Sequence, residues 1–381
     1  MQRDWLTAEE AMETLGVRPQ TLYAYVSRGR IEARPDPDDP RRSRYRLADV
    51  GQLAERKRRG RKAAEVAAGA IAWGEPVLTS AITTIAHGRL FYRGRDAVAL
   101  AEHASLEATA RLLRGGHGAA VKGLARTPSP EGGSIRARLF FALSQRAGVD
   151  PPARGRAPLA LAAEATGLLD LVADAAAGRI EQGPIHARIA AAWDRPQAAD
   201  AIRRTLVLLA DHELNASTFA ARVTASTGAS LAAASLAGLS ALSGPLHGGI
   251  ADRVRNLVEE SGRIGAEAAV AGRIARAGPI PGFGHPLYPE GDPRAAALLP
   301  AFDLPPPYNL LKRAVEEATG EAANIDFLLT ALAERFGLPP DAPFALFAVA
   351  RTAGWLAHSV EQVLTGALIR PRARYVGPTP E

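Results

Sequence analysis

From about residue 64 onward, apolar residues recur at helical spacing, in stretches such as LALAAEATGLLDLVADAAAGRI and AIRRTLVLLADHEL. Alanine and leucine dominate them, and both favour the helix. Strand signals are scarce; the best are PVLTSAITTI and RLFYRG, near the start of this region. Glycine and proline cluster around 115–133, 149–157, 243–249, 278–293 and 303–307, and punctuate the helices. Helices with so much apolar surface must bury it against one another, so a large all-α body is expected. The 381 residues are enough for two or three domains. No apolar run is long enough to cross a bilayer. The amino terminus, MQRDWLTAEE, is acidic and lacks the apolar core of a signal peptide. The absence of cysteine excludes disulfides, thiolate catalysis and cysteine-based zinc sites, and fits a cytoplasmic protein.

Charge divides the chain unevenly. Residues 1–62 hold 15 Lys+Arg against 10 Asp+Glu, which is +5 of the total +6. The remaining 319 residues carry +1, so the head and the body should meet different partners. In the head, Thr7 and Glu10 have capping-box spacing, and Ala8, Ala11, Met12 and Leu15 follow with helical period. Gly16 ends that helix, and Pro19 suits the first position of a second one. Next come a basic hairpin-like stretch with a Pro/Asp loop, RIEARPDPDDPRRSRYRL, and a helix with a basic end, LADVGQLAERKRRGRK. This order resembles the winged helix-turn-helix of the MerR and excisionase group over about 60 residues. The resemblance implies that Arg18, Gln20, Thr21 and Tyr23 lie near bases, while Arg28, Arg30, Arg41, Arg42 and Arg44 meet phosphates. The alternatives are a solvated charged face, or a module docked on the protein's own body.

In the body, three of the eight histidines have unusual settings. His212 follows an apolar helix and precedes the polar cluster Asn215, Ser217 and Thr218. His247 sits among glycines in SGPLHGGIADRV, near the expected start of a helix, where the dipole favours a neutral imidazole. His285 shares PGFGHPLYPEGDPRA with Arg294, amid seven backbone breakers. Each could also be a capped or merely exposed histidine, and no metal-ligand spacing links the three. Asp326 opens the apolar helix IDFLLTALAERF. Its spacing favours an N-cap, although a desolvated carboxylate there could act as a base. Arg351, Arg370 and Arg372 lie in apolar or carboxyl-terminal surroundings and suit either anion sites or the surface.

Taken together, DHELNASTFAAR, SGPLHGG, PGFGHPLYPEGDPRA, NIDFLL, RTAGWLAH and RPRARYVG, in that order, resemble the citrate synthase family. TSAITTI, LFYRGRD and LAEHASLEATARLL match its amino-terminal part, so the resemblance runs from about residue 70 to 377. It implies a mainly α, two-lobed fold preceded by the small winged helix-turn-helix domain. The implied divisions are 1–62 for the head, 63–224 and 336–381 for a large domain, and 225–335 for a small one. It also implies condensation of acetyl-CoA with oxaloacetate to citrate and CoA, an acyltransferase reaction of the tricarboxylic acid cycle. Asp326 would remove a methyl proton, His247 would hold the thioester oxygen, and His285 would polarise the keto oxygen. His212, Arg294 and Arg351 would bind oxaloacetate, with Arg370 supplied by the second subunit of a homodimer. The family pattern needs no metal and no cofactor besides the acyl-CoA co-substrate. Family members commonly carry basic residues one and four positions after the histidine matching His285, where this chain has Pro286 and Pro289. Arg273, Arg276, Lys312 and Arg313 are candidates to compensate, and propionyl-CoA is an alternative donor, giving 2-methylcitrate. A further alternative is a regulator that senses oxaloacetate or CoA and controls its DNA module.

Overall fold

The computed structural model describes residues 4–27, 30–37, 39–54, 78–116, 133–276, 278–373 and 375–378. The chain forms two compact units, Met1–Thr79 and Ser80–Glu381.

The first unit contains β1 (Trp5–Leu6), α1 (Ala8–Leu15), α2 (Pro19–Ser27), β2 (Ala33–Pro35), β3 (Ser43–Arg46) and the helical segment α3, residues 47–54. The capping box forms as its spacing predicts. Thr7 Oγ1 accepts from the Glu10 amide, and Glu10 Oε2 accepts from the Thr7 amide at 2.8 Å. Gly16 closes α1 in the left-handed region, φ 58°, which a side chain would strain. The strands pair antiparallel in the order β1-β3-β2, with Ala33 opposite Tyr45 and Trp5 opposite Arg46. Ala11, Leu15, Leu22, Ile31, Tyr45 and Val50 form the small core. Arg28 and the basic stretch after residue 54 lie outside the described residues.

The second unit opens with the antiparallel meander β4 (Thr83–Ala86), β5 (Arg89–Tyr92) and β6 (Arg95–Asp96), where the sequence carries its strand signals. Helices follow: α4 (Ala97–His103), α5 (Leu106–Leu113), α6 (Ile135–Val149), α7 (Pro158–Ala177), α8 (Ile185–Ala192), α9 (Ala199–Leu208), α10 (Ala216–Ser226) and α11 (Leu231–Leu242). Then come α12 (Ile250–Ile264), α13 (Ala266–Ala275), α14 (Pro293–Leu298), α15 (Pro306–Thr319), α16 (Ile325–Phe336) and α17 (Ala342–Thr365). No described helix is long and apolar enough to cross a membrane.

The 24-residue α17 is apolar on nearly every side and is buried accordingly, from Ala342 to Val360. It packs against α5, α6, α7, α9, α10 and α11, whereas α12, α13, α15 and α16 pack chiefly on one another. The α11 helix, inside the 225–335 span expected as a small lobe, therefore belongs by packing with α6, α7, α10 and α17. Small residues permit these close approaches. A Cβ on Gly238 would stand 2.7 Å from the Trp355 ring.

Candidate active site

The loop 278–292 is sewn onto the start of α16, and this brings distant residues together. The Gly284 amide donates to Ala322 O, the Asn324 amide to Gly282 O, and Asn324 Nδ2 to Gly284 O. Gly282 has φ +85°, and a Cβ there would lie 2.9 Å from Val254 and 3.0 Å from Phe327. Asp292 fastens the far end. Its Oδ1 accepts from the Arg294 amide and Nε, and its Oδ2 accepts from Arg294 Nη2 and the Ile325 amide, all within 2.9–3.0 Å. Asp292 also caps α14, as the Asp-Pro pair allows. Burial opposes the charge on Arg294, but the ion pair with Asp292 overcomes it and raises the guanidinium pKa. Nη1 of Arg294 has no hydrogen-bond partner among the described residues.

The N-cap of α16 is Asn324, whose side chain accepts from the Asp326 and Phe327 amides. Asp326 lies in the first turn and does not cap, contrary to what its spacing favours. Asn324 stands one residue before the helix and has the same capping chemistry. Asp326 is thereby left available. Asp326 is half-buried, with protein crowding its carboxyl and some access to solvent retained. Desolvation pushes its pKa to about 6, against Arg294 and Arg351, which favour the charged form.

His285 has a defined proton. The Leu287 amide donates to its Nδ1 at 3.1 Å, so in the neutral ring Nε2 carries the hydrogen. Desolvation, then Arg294, lowers its pKa to about 4, so neutrality holds at ordinary pH. His212 is buried and neutral for the same reasons, with Arg294 and Arg351 adding to desolvation. Its Nε2 meets Tyr288 Oη at 2.9 Å, and its ring lies edge-on to His285 at 5.3 Å.

His247 precedes Gly249, the N-cap of α12, by two residues. Its ring packs on Phe347 at 5.7 Å, and its pKa falls to about 4 through desolvation and Arg351. Its Nε2 lies 2.9 Å from Ser217 Oγ. That hydroxyl accepts from Trp355 Nε1 and has a single proton to give, to Asn215 Oδ1 at 2.7 Å or to His247 Nε2. In the second case the His247 proton resides on Nδ1. Arg351 is 1% exposed on α17, donates from Nε to Leu209 O and lies over the Phe347 ring at 4.8 Å. Burial lowers its pKa to about 10, so it stays charged.

The structure thus gathers His212, His247, His285, Arg294, Asp326 and Arg351. Arg370 is exposed in the segment after α17 and does not join them within this chain. Asp292, Tyr288 and Asn324 organise the cluster and were missed in the sequence, where Ser217, which joins them, was noted only as part of a polar run. The Asp-Pro pair at 292 and the polar run at 215–218 were the available signals.

Elsewhere, Arg273 pairs with Glu260 at 3.0 Å and Arg276 with Glu260 at 3.8 Å. Lys312 pairs with Glu316 and Arg313 with Glu317. All four cations that could compensate for Pro286 and Pro289 therefore have acidic neighbours. In the first unit, Arg18, Gln20, Arg41 and Arg42 are exposed, Tyr23 is 60% exposed, and Thr21 is half-buried. Arg42 lies 3.4 Å from Asp39. Arg44 forms a partly buried pair with Asp36 at 2.8 Å, which makes it a strut within the β2–β3 hairpin.

A family model for the carboxyl-terminal domain of citrate synthase matches residues 146–372, more than half of the chain. The chain belongs to the citrate synthase family. A helix-turn-helix domain model matches residues 5–58. Citrate synthase 2 of Bacillus subtilis is 38% identical over 194 residues, covering 48% of this chain and 52% of that protein. The 2-methylcitrate synthase 2 of Corynebacterium glutamicum is 34% identical over 187 residues, 46% of this chain and 48% of its own length. These matches span about half the length of the curated relatives. The crystal structure of citrate synthase from Thermotoga maritima superposes with a TM-score of 0.66 at 27% identity. It covers 81% of this chain and 95% of that one, so the citrate synthase fold extends well beyond the stretch matched in sequence.

Proposed function

We propose that the second unit condenses an acyl-CoA with oxaloacetate and hydrolyses the resulting thioester to release CoA. The observation that carries this reading is Asp326, a desolvated carboxylate freed from capping by Asn324 and held beside two arginines. Its pKa of about 6 suits a base acting near neutral pH. Asp326 takes a methyl proton from the acyl group while His247 donates from Nδ1 to the thioester oxygen. That role calls for the Ser217 proton to point at His247 Nε2. The enol carbon then attacks the keto carbon of oxaloacetate. His285 Nε2–H faces the keto oxygen as charge gathers there, a donor already oriented by the Leu287 amide. His212, Arg351 and the free Nη1 of Arg294 take the carboxylates. Arg370 is assigned to the same site of a second subunit, in a homodimer. The chemistry assigns no step to a metal or to a cofactor beyond the acyl-CoA.

The test is thiol release from acetyl-CoA and from propionyl-CoA, with and without oxaloacetate. Oxaloacetate-dependent release with citrate as product supports the reading, and 2-methylcitrate from propionyl-CoA at a higher kcat/KM would reassign the donor. Release from neither donor sinks it. A second reading concerns the first unit, whose exposed Arg18, Gln20 and Tyr23 on a capped two-helix turn favour DNA as its partner. In that reading the condensing unit doubles as a sensor of oxaloacetate or CoA in the cytoplasm. Fluorescence-anisotropy titration of genomic fragments against the full-length protein, with and without both ligands, decides it.

A further inference from the structure

Tyr288 touches three of the residues assigned to oxaloacetate. Its hydroxyl lies 2.9 Å from His212 Nε2, its ring is 4.9 Å from His285, and the Arg294 guanidinium stands 5.4 Å from the ring centre. The side chain is 2% exposed, and two turns hold the backbone, with the Tyr288 amide donating to His285 O and the Gly291 amide to Tyr288 O. A phenol so enclosed keeps its proton, and desolvation raises its pKa well above the ordinary value. Among the described residues His212 Nε2 is the only hydrogen-bond partner of that hydroxyl.

We propose that Tyr288 is a positioning residue that donates its proton to His212 Nε2 and so fixes the His212 hydrogen on Nδ1, converting a buried neutral imidazole into a donor for a carboxylate of the keto acid. The opposite arrangement fails on two counts. If Nε2–H donated to the phenol oxygen, the phenol hydrogen would have no acceptor within the loop, a costly defect in a buried group. Nδ1 would then present a lone pair to the substrate, beside Arg351 and the Nη1 of Arg294, which offer hydrogens to an anion. With the proton on Nδ1, all three groups offer donors to the same dianion. No described residue hydrogen-bonds Nδ1, so that donor is free for the ligand. Tyr288 thus does for His212 what the Leu287 amide does for His285, a fixed donor on one ring nitrogen setting the proton on the other.

The inference rests on the oxaloacetate reading for its ligand, and the experiment separates the two. Two-bond 15N–1H spectra of the full chain, with His212 assigned by its loss in His212→Gln, should show the Nδ1–H tautomer in the wild type. Tyr288→Phe keeps the ring packing and should switch His212 to Nε2–H. It should raise the KM for oxaloacetate about tenfold, the scale of one lost hydrogen bond to a charged group, while kcat changes less than twofold. In a His212→Ala background the same change should add nothing. A wild type with His212 in the Nε2–H form overturns the proposal even if Tyr288→Phe does not fold. So does an unchanged KM in Tyr288→Phe, or an effect that persists without His212. A wild type that binds no oxaloacetate by calorimetry and releases no thiol would sink the oxaloacetate reading as well, and the two failures are thereby told apart.

Discussion

Asp326 shows how one neighbour decides the chemistry of a side chain. With Asn324 taking the capping bonds, the carboxylate is left desolvated and without a hydrogen bond that would hold it charged. Its folded pKa is raised from 3.8 to about 6, so the protein prefers it protonated. The stabilisation this gives is complete below the unfolded value and is lost as pH rises through the folded one. Ionised Asp326 therefore destabilises the protein above about pH 6. Asp326→Asn should cut turnover by a factor of at least about 10³, the size of a lost general base. It should also stabilise the fold at pH 8 by about 1–3 kcal/mol, and that gain should vanish near pH 4. Denaturant unfolding at both pH values, beside the thiol assay, checks the pair of outcomes. The histidines bear on the rate profile. His247 and His285 stay neutral down to about pH 4, so the acid limb of kcat/KM belongs to Asp326 and should bend near pH 6. A profile flat from pH 7 to 5 would contradict that assignment.

The α17 helix acts as the spine of the site. It carries Arg351, packs Phe347 against His247, and holds the 207–213 segment through the bond from the Gly354 amide to Ala210 O. Deeper in, His358 Nε2 meets Asp211 Oδ2 at 3.1 Å, while Arg222 joins His358, Glu361 and Gln362. Gln362 Nε2 donates to Ala367 O, which ties the segment carrying Arg370 to the same network. The helix can lie this close to Asp211 only because residue 354 has no side chain. A Cβ there would sit 2.2 Å from Asp211 Oδ1 and 2.6 Å from Ala210 O. Gly354→Ala should cost about 2–3 kcal/mol or more, because neither neighbour can retreat from a packed core. It should also weaken oxaloacetate binding, since Leu209 O positions Arg351. Gly262, exposed on α12 with open space around it, is the contrast. Gly262→Ala should stabilise by about 0.5–1 kcal/mol through helix propensity alone. Chemical denaturation of both variants measures the difference.

At the scale of the molecule, charge and chemistry are divided between two units. The basic head holds +5 of the net +6, and phosphate contacts from it would be released steeply by salt. Arg41→Ala with Arg42→Ala should weaken DNA binding on every fragment and flatten the salt dependence. Arg44→Ala should instead destabilise the hairpin, because its partly buried ion pair with Asp36 would be lost. Anisotropy titrations at several salt concentrations, with thermal unfolding alongside, separate the two. Arg370 poses the complementary question for the body, since it is exposed and apart from the cluster in a single chain. Mixing Arg370→Ala subunits with His285→Ala subunits should restore activity if sites are shared across a dimer. No recovery after confirmed subunit exchange would place Arg370 outside the site.

The helical body, the capped first helix of the head and the β4–β5 strands were legible from the sequence because each depends on local spacing. A capping box needs only residues three apart, and an amphipathic stripe needs only one helix. The motifs also named residues that the structure brings into one cluster, His247, His285 and Arg294 among them, since their loops are dense in glycine and proline. What the chain could not disclose locally was how those loops are tied together. Asp292 reaches Ile325 across 33 positions of sequence, Tyr288 reaches His212 across 76, and His358 reaches Asp211 across 147. The same is true of Asp326. Its local pattern fits a cap, and only the placement of Asn324, with Arg294 and Arg351 brought alongside, leaves it as a desolvated carboxylate. Spacing along the chain determines which residues share an element, but burial and electrostatics depend on what packs across from them, and that the tertiary structure alone decided.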